Sequence, residues 1–222
     1  MTESQEFIEF RDRIMFLEQV LLPSSVSNES EPTPEDVIKI LSFRLMAHAE
    51  IEDFVESRVE NIAISASAAF ENGVVSKALL SIASFTESSL GAPAQTLAPS
   101  QPSQAEAWRT KLHLAERTRK YVTAFVRSIK SNHGIKEENL LALLLPVGVP
   151  ADSIDPLWLA DCASFGSERG DAAHRSSSRV STTPNPFDER NKVYRIVEGL
   201  RSLDAEIARL LNELATATGN WP

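Results

Sequence analysis

Cysteine is nearly missing from this chain, with Cys162 standing alone. A single thiol excludes an intrachain disulfide and a cysteine-built metal cage, and it fits a reducing cytoplasm. Glycine is scarce too, eight in 222 residues, and aromatics make up only 7%. With so little of both, and with abundant Ala, Leu, Glu and Ser, the chain favours helices over sheets. No glycine-rich phosphate loop, strand alternation or internal repeat is evident. The longest apolar run, "LLALLLPVGVP", is too short to span a bilayer and is broken by Pro146. It reads as a buried helix end followed by a turn. The opening "MTESQEFIEF" lacks the basic-then-apolar order of a secretory leader. The expectation is a cytoplasmic protein without a membrane partner.

What the chain does have is apolar material for a core and an uneven charge. Hydrophobic residues are 42% of the sequence, ample for one globular domain. The net charge of −9 argues at first against nucleic acid. Residues 1–60, however, hold fourteen acidic and five basic side chains, which alone gives −9. Residues 108–136 hold eight Lys/Arg against one Glu, a local +7. Such asymmetry permits either a basic face on an acidic protein or an ordinary solvated helix flank.

Periodicity predicts a first helix over 5–22, with Phe7, Ile14, Leu17 and Leu21 as its apolar stripe. After the loop "PSSVSNESEPTPE", Thr33, Pro34 and Asp36 form a helix-start signature. The helix that follows reaches to about Phe70. Val37, Leu41, Leu45, His48, Ile51, Val55, Val59 and Ile62 recur along it at steps of three and four. Gly73 breaks it ahead of "VVSKALLSIASFTESSL". Beyond the uncharged linker "GAPAQTLAPSQPSQ", a helix over 105–132 turns Trp108, Leu112, Ala115, Val122, Phe125 and Ile129 inward, and Gly134 ends it. "KEENLLALLL" is a short helix, and Ser153 or Asp155 caps another with Pro156 in its first turn. The last helix carries Val193, Val197, Leu200, Leu203, Ile207, Leu210 and Leu214 on one side. These stripes specify an all-α fold, an antiparallel bundle of long amphipathic helices. Residues 1–34 are a helix and a Ser/Glu/Pro loop that either packs on the bundle or lies apart from it. Residues 35–222 form the helical domain proper.

Two Arg…His pairs stand out in "RSIKSNH" and "ERGDAAHRSS". His133, beside Gly134, suits a basic residue at a helix C-terminus. Arg169 is placed differently. Trp158, Cys162 and Phe165 advance by four and three, and the next step of four lands on Arg169. A guanidinium on a packing face costs several kcal/mol unless an anion meets it, either a carboxylate such as Glu50 or Glu52 or a phosphate. Gly166 and Gly170, four apart, would let a backbone or ligand come close on one face. His48 and His113 read as structural or surface residues.

The segment "ERGDAAH", set after long helices and before a polar loop and a closing helix, resembles the Arg-x4-His motif of the HEPN superfamily. "FRLMAHAEIEDFVESRVENIA" and "RNKVYRIVEGLRSLDAEIARLL" resemble the RiboL-PSP and related prokaryotic HEPN branches. The similarity covers about 35–214. The resemblance implies a homodimeric, metal-independent endoribonuclease from a toxin–antitoxin or phage-defence setting, with Arg169 and His174 as the active pair. Gly170 departs from the family's polar residue after the arginine, leaving Asp171 as the nearest polar substitute. Ser176 stands where some members have a tyrosine that a partner enzyme modifies. Some members are non-catalytic.

The chemistry suits these residue types. Cleaving RNA through its own 2′-hydroxyl needs a proton acceptor, a proton donor and positive charge at phosphorus. Histidine can do either proton job near neutrality, and arginine can hold two phosphate oxygens. No metal or other cofactor is needed. One histidine does not easily serve as acid and base in a single step, and a twofold dimer with a shared cleft supplies two. Arg175, Arg179, Lys120 and Arg127 are candidate contacts to flanking RNA phosphates. The expected partners are RNA, a second copy of the chain, and an antitoxin or defence-system protein. The competing expectation is a non-catalytic helical module that binds a nucleotide, RNA or a protein.

Overall fold

Helix starts follow their local chemistry. Thr33 accepts a hydrogen bond from the Asp36 backbone, and the Asp36 carboxylate accepts one from the Thr33 backbone, closing a capping box ahead of Pro34. Asn185 accepts from the Phe187 and Asp188 amides ahead of the closing helix. Asp155 accepts from the Leu157 amide beside Pro156.

The computed structural model describes residues 3–22, 32–86, 113–174 and 185–217, with side chains on the third stretch only as far as 170. Among these are seven α-helices and no strand: α1 (Gln5–Leu21), α2 (Pro34–Glu71), α3 (Lys77–Thr86), α4 (Leu114–Lys130), α5 (Glu137–Leu144), α6 (Pro156–His174) and α7 (Pro186–Thr216). No helix among the described residues is long and apolar enough to cross a membrane. The linker at 91–104, the first part of the helix expected over 105–132, and the serine loop after His174 lie outside the described residues.

Helix α2 is the centre of the bundle and touches every other helix. Its neighbours explain why one expected stripe proved too narrow. His48, Ile51, Val55, Val59 and Ile62 are buried as their spacing predicts, but so are Ile40, Phe43, Ala47, Phe54, Ala63 and Ala66. A helix enclosed on several sides buries more than one stripe, and Val37 and Leu45 on its flank are only half-buried. On one side Phe54 stacks on Phe10, with ring centroids 4.6 Å apart, so α1 is seated directly on α2 and α7. The N-terminal helix is therefore part of the bundle. On α4, Val122, Phe125 and Ile129 are buried, whereas Ala115 in the first turn is exposed and Thr118 takes the inward position.

Helices α6 and α7 meet at one unusually close point. A Cβ added at Gly199 would lie 2.1 Å from Cδ1 of Trp158. The indole cannot easily retreat, because it is buried and donates Nε1–H to the Ile196 carbonyl at 3.1 Å. Gly199→Ala is expected to lower stability by about 2–3 kcal/mol through overpacking, despite its better helix propensity. Thermal melting would show this, and an unchanged or raised Tm would mean that α7 does not sit against this ring.

Candidate functional site

The packing reading of α6 is correct up to its last turn. Trp158, Cys162 and Phe165 are buried, and Arg169 continues their line at the edge of the core. Burial pushes the Cys162 thiol far up, so this cysteine is an inert part of the core. Arg169 faces a pocket of about 440 Å³. One wall is α2, which contributes Ala49, Glu52, Asp53 and Glu56 at helical spacing. The other wall is the turn after α4, with Asn132 and His133.

Asn132 braces this site. Its Nδ2 donates to Glu56 Oε1 at 2.8 Å and to the Gly134 carbonyl at 3.0 Å, while its Oδ1 accepts from Asn139 at 3.0 Å. Burial first, and then the charge of Glu56, raise the Glu52 carboxyl above the usual carboxylate range, against the lowering influence of Arg169 and a hydrogen bond from the Gly134 backbone. Of the two carboxylates expected to meet the guanidinium, Glu50 is engaged elsewhere, with Arg13 at 2.6 Å. Glu52 is the one that acts electrostatically on Arg169. Even so, no hydrogen bond or ion pair within 4 Å is made by Arg169 among the described residues, and its buried Nε lacks a partner.

Behind the pocket lies His48, buried and stacked on Phe165. Its Nδ1 faces Glu52 Oε2 at 3.6 Å, too far for a hydrogen bond. Burial, and after it the Arg169 charge, hold this imidazole well below its usual range, at about 4. Being neutral near pH 7, it forms no ion pair with Glu52. In the unfolded chain the ring titrates near 6.5, so between 6.5 and about 4 the unfolded state binds the extra proton. Stability is therefore whole above that window and falls as pH drops through it, by roughly 3 kcal/mol. Glu52, raised in the folded state, acts in the opposite sense. Melting curves of His48→Leu should lose the steep decline in this window, and a slope equal to that of the parent would rule out His48 as its source.

The end of α6 is tied down by charge. Glu168 accepts from Lys192 at 2.7 and 2.9 Å and lies 3.3 Å from Arg44. Arg44 also donates Nε–H to Glu189, whose carboxylate is buried, at 2.8 Å. Helices α2, α6 and α7 are thus pinned together one residue before Arg169.

The other expected site residues are dispersed or undescribed. Helix α6 stays helical through Gly166 and Gly170 to His174. Five positions on such a helix turn the backbone by about 140°, so Arg169 and His174 are not on one face of it. The side chains of Asp171 and His174, and all of Arg175 and Arg179, lie outside the described residues. Gly166 is buried, with His48, Ile135 and Lys136 at ordinary contact distances from an added Cβ, while at Gly170 nothing among the described residues lies within 4 Å of one. On α4, Lys120 is exposed and paired with Glu116 at 2.8 Å, and Arg127 is exposed. The basic stretch is partly neutralised, because Arg119 also pairs with Glu71 at 2.9 Å. Among the described residues no cluster of His, Cys, Asp or Glu could hold a metal ion.

Sequence reasoning did not foresee Asp53, Glu56, Asn132 and His133 as neighbours of Arg169. The only available signal was the acidic run "EIED" with Glu56 one turn on, which equally describes a solvated helix flank. No protein-family model, curated protein or solved structure matches the chain.

Proposed function

We propose that this protein is a metal-independent endoribonuclease of the HEPN type, acting as a homodimer in which Arg169 and His174 are the reactive pair. The observation that carries this reading is the Arg169 guanidinium. It lines a pocket with its buried Nε unpartnered, and no ion pair within 4 Å neutralises it among the described residues. A cation held in that way is available to a phosphodiester. His174 would move the proton, and a second subunit would bring the complementary group that one helix does not place on the same face. Among the described residues nothing lies within 4 Å of a Cβ added at Gly170, which suits close approach of a second backbone or of RNA. Toxin–antitoxin or defence work in the cytoplasm, with an antitoxin as partner, belongs to the same proposal. Arg127, Arg175 and Arg179 would extend the phosphate track, and Lys120 would join it by releasing Glu116.

The acidic wall favours a second reading. Glu52, Asp53 and Glu56 repel a bare phosphate, which suits a non-catalytic module whose pocket takes a small ligand or a basic partner segment.

The deciding experiment incubates purified protein with RNA in EDTA beside His174→Ala. The ribonuclease reading expects cleavage leaving 2′,3′-cyclic phosphate ends, and its loss in a folded His174→Ala protein. Equal cleavage by both proteins, or none by either, removes it.

A further inference from the structure

The charge of the pocket says what should enter it. Three carboxylates stand opposite one guanidinium, a poor match for an anion alone and a good one for a ligand that is a donor at one end and anionic at the other. A second observation is independent of the carboxylates. His48 is only 2% exposed, yet its Nδ1 has no hydrogen-bond partner and is directed at Glu52 on the pocket wall. Arg169 Nε is likewise buried, with no partner among the described residues. Buried nitrogens are seldom left so; His48 stands behind Glu52 and does not line the cavity, but Arg169 does, and its Nε marks a place where a polar ligand can complete the structure.

Glu56 is the carboxylate best prepared to receive donors. It lies on the rigid α2, and Asn132 Nδ2 holds its Oε1 at 2.8 Å, which fixes its orientation. Among the RNA bases, guanine alone places two neighbouring N–H donors, N1–H and the 2-amino group, side by side on one edge. Adenine and cytosine set an acceptor beside their amino group, and uracil flanks its single N–H with carbonyls. A carboxylate accepts both guanine donors at once and meets an unpaired acceptor on each of the others. A cavity of about 440 Å³ is within the range of small-ligand sites.

We propose that this pocket is a guanine-nucleotide subsite, in which the Glu56 carboxylate accepts the N1–H and 2-amino hydrogens of the base and Arg169 holds the attached phosphate. It deepens the ribonuclease reading, and rests on it for the claim that the nucleotide belongs to an RNA chain. The enzyme would then cleave beside guanosine.

The test is calorimetric titration of the full-length protein with the 3′-monophosphates of guanosine, adenosine, cytidine and uridine. Guanosine 3′-monophosphate should bind about tenfold or more tightly than the others, the discrimination of one bidentate base contact. Glu56→Gln, with unchanged circular dichroism, should erase that preference. Arg169→Ala should weaken all four nucleotides while keeping their order. The subsite is overturned if the four bind alike, if none binds at millimolar concentration, or if Glu56→Gln keeps the preference. RNA cleavage with no guanine preference would sink the subsite and leave the ribonuclease. Guanine preference with no cleavage would do the reverse.

Discussion

Asp204→Ala is expected to lower folding stability by about 3–5 kcal/mol, a large part of the total for a domain of this size. Asp204 is buried on α7 and pairs with Arg58 of α2, also buried, at 3.0 Å. It further accepts from the Ser4 hydroxyl at 2.9 Å and the Ser4 amide at 3.2 Å, and Ser4 itself caps α1. One carboxylate therefore joins three helices. Its removal strands the Arg58 guanidinium in the core, with only the exposed carboxylate of Glu6 at 3.0 Å for company among the described residues. The loss comes mainly from that uncompensated charge, so removing both partners together should be far milder. Arg58→Met combined with Asp204→Leu is expected to recover most of the stability. Chemical denaturation of the single and double variants checks this, and a single variant within about 1 kcal/mol of the parent would mean that the pair is hydrated and not buried.

The second large effect is on activity. On the proposed ribonuclease reading, Arg169→Ala should reduce kcat for RNA cleavage by about 10²- to 10³-fold, the usual loss when one preorganised donor to a developing oxyanion is removed. Stability should change little or rise, because the deletion removes a partly buried, unpartnered cation. Arg169→Lys should rescue little, since an ammonium cannot reproduce a guanidinium's two parallel bonds to phosphate. A variant that loses stability but keeps its turnover would turn this residue into a structural one.

Local chemistry was readable in advance because it is written in neighbouring residues. The capping box of Thr33 and Asp36, the turn at Gly73 and the stripe from Val193 to Leu214 need only their own segment, and each is found as expected. The placement of Arg169 in line with Trp158, Cys162 and Phe165 was legible for the same reason. Its surroundings were not. Glu52 and Glu56 are more than a hundred positions away, on a helix whose multiple burial follows from what packs around it. Periodicity within α2 shows one apolar stripe, while Phe54 and Phe43 are buried because α1 and others close over the remaining faces. His133 looked like a helix-end residue, and it is also a pocket wall, because the turn after α4 is folded against α2. Tertiary proximity of that kind leaves no periodic trace in a single sequence.

At the heart of this account is contact between the Arg169 side chain and the phosphate of an RNA strand. Nitrogen–proton NMR of the arginine Nε–H groups, recorded while an uncleavable 2′-O-methyl RNA is added, reads that contact directly. The Arg169 signal, assigned by its absence in Arg169→Lys, should shift and exchange more slowly with water as RNA binds. An Arg169 signal that stays fixed while the RNA saturates the protein would contradict the account.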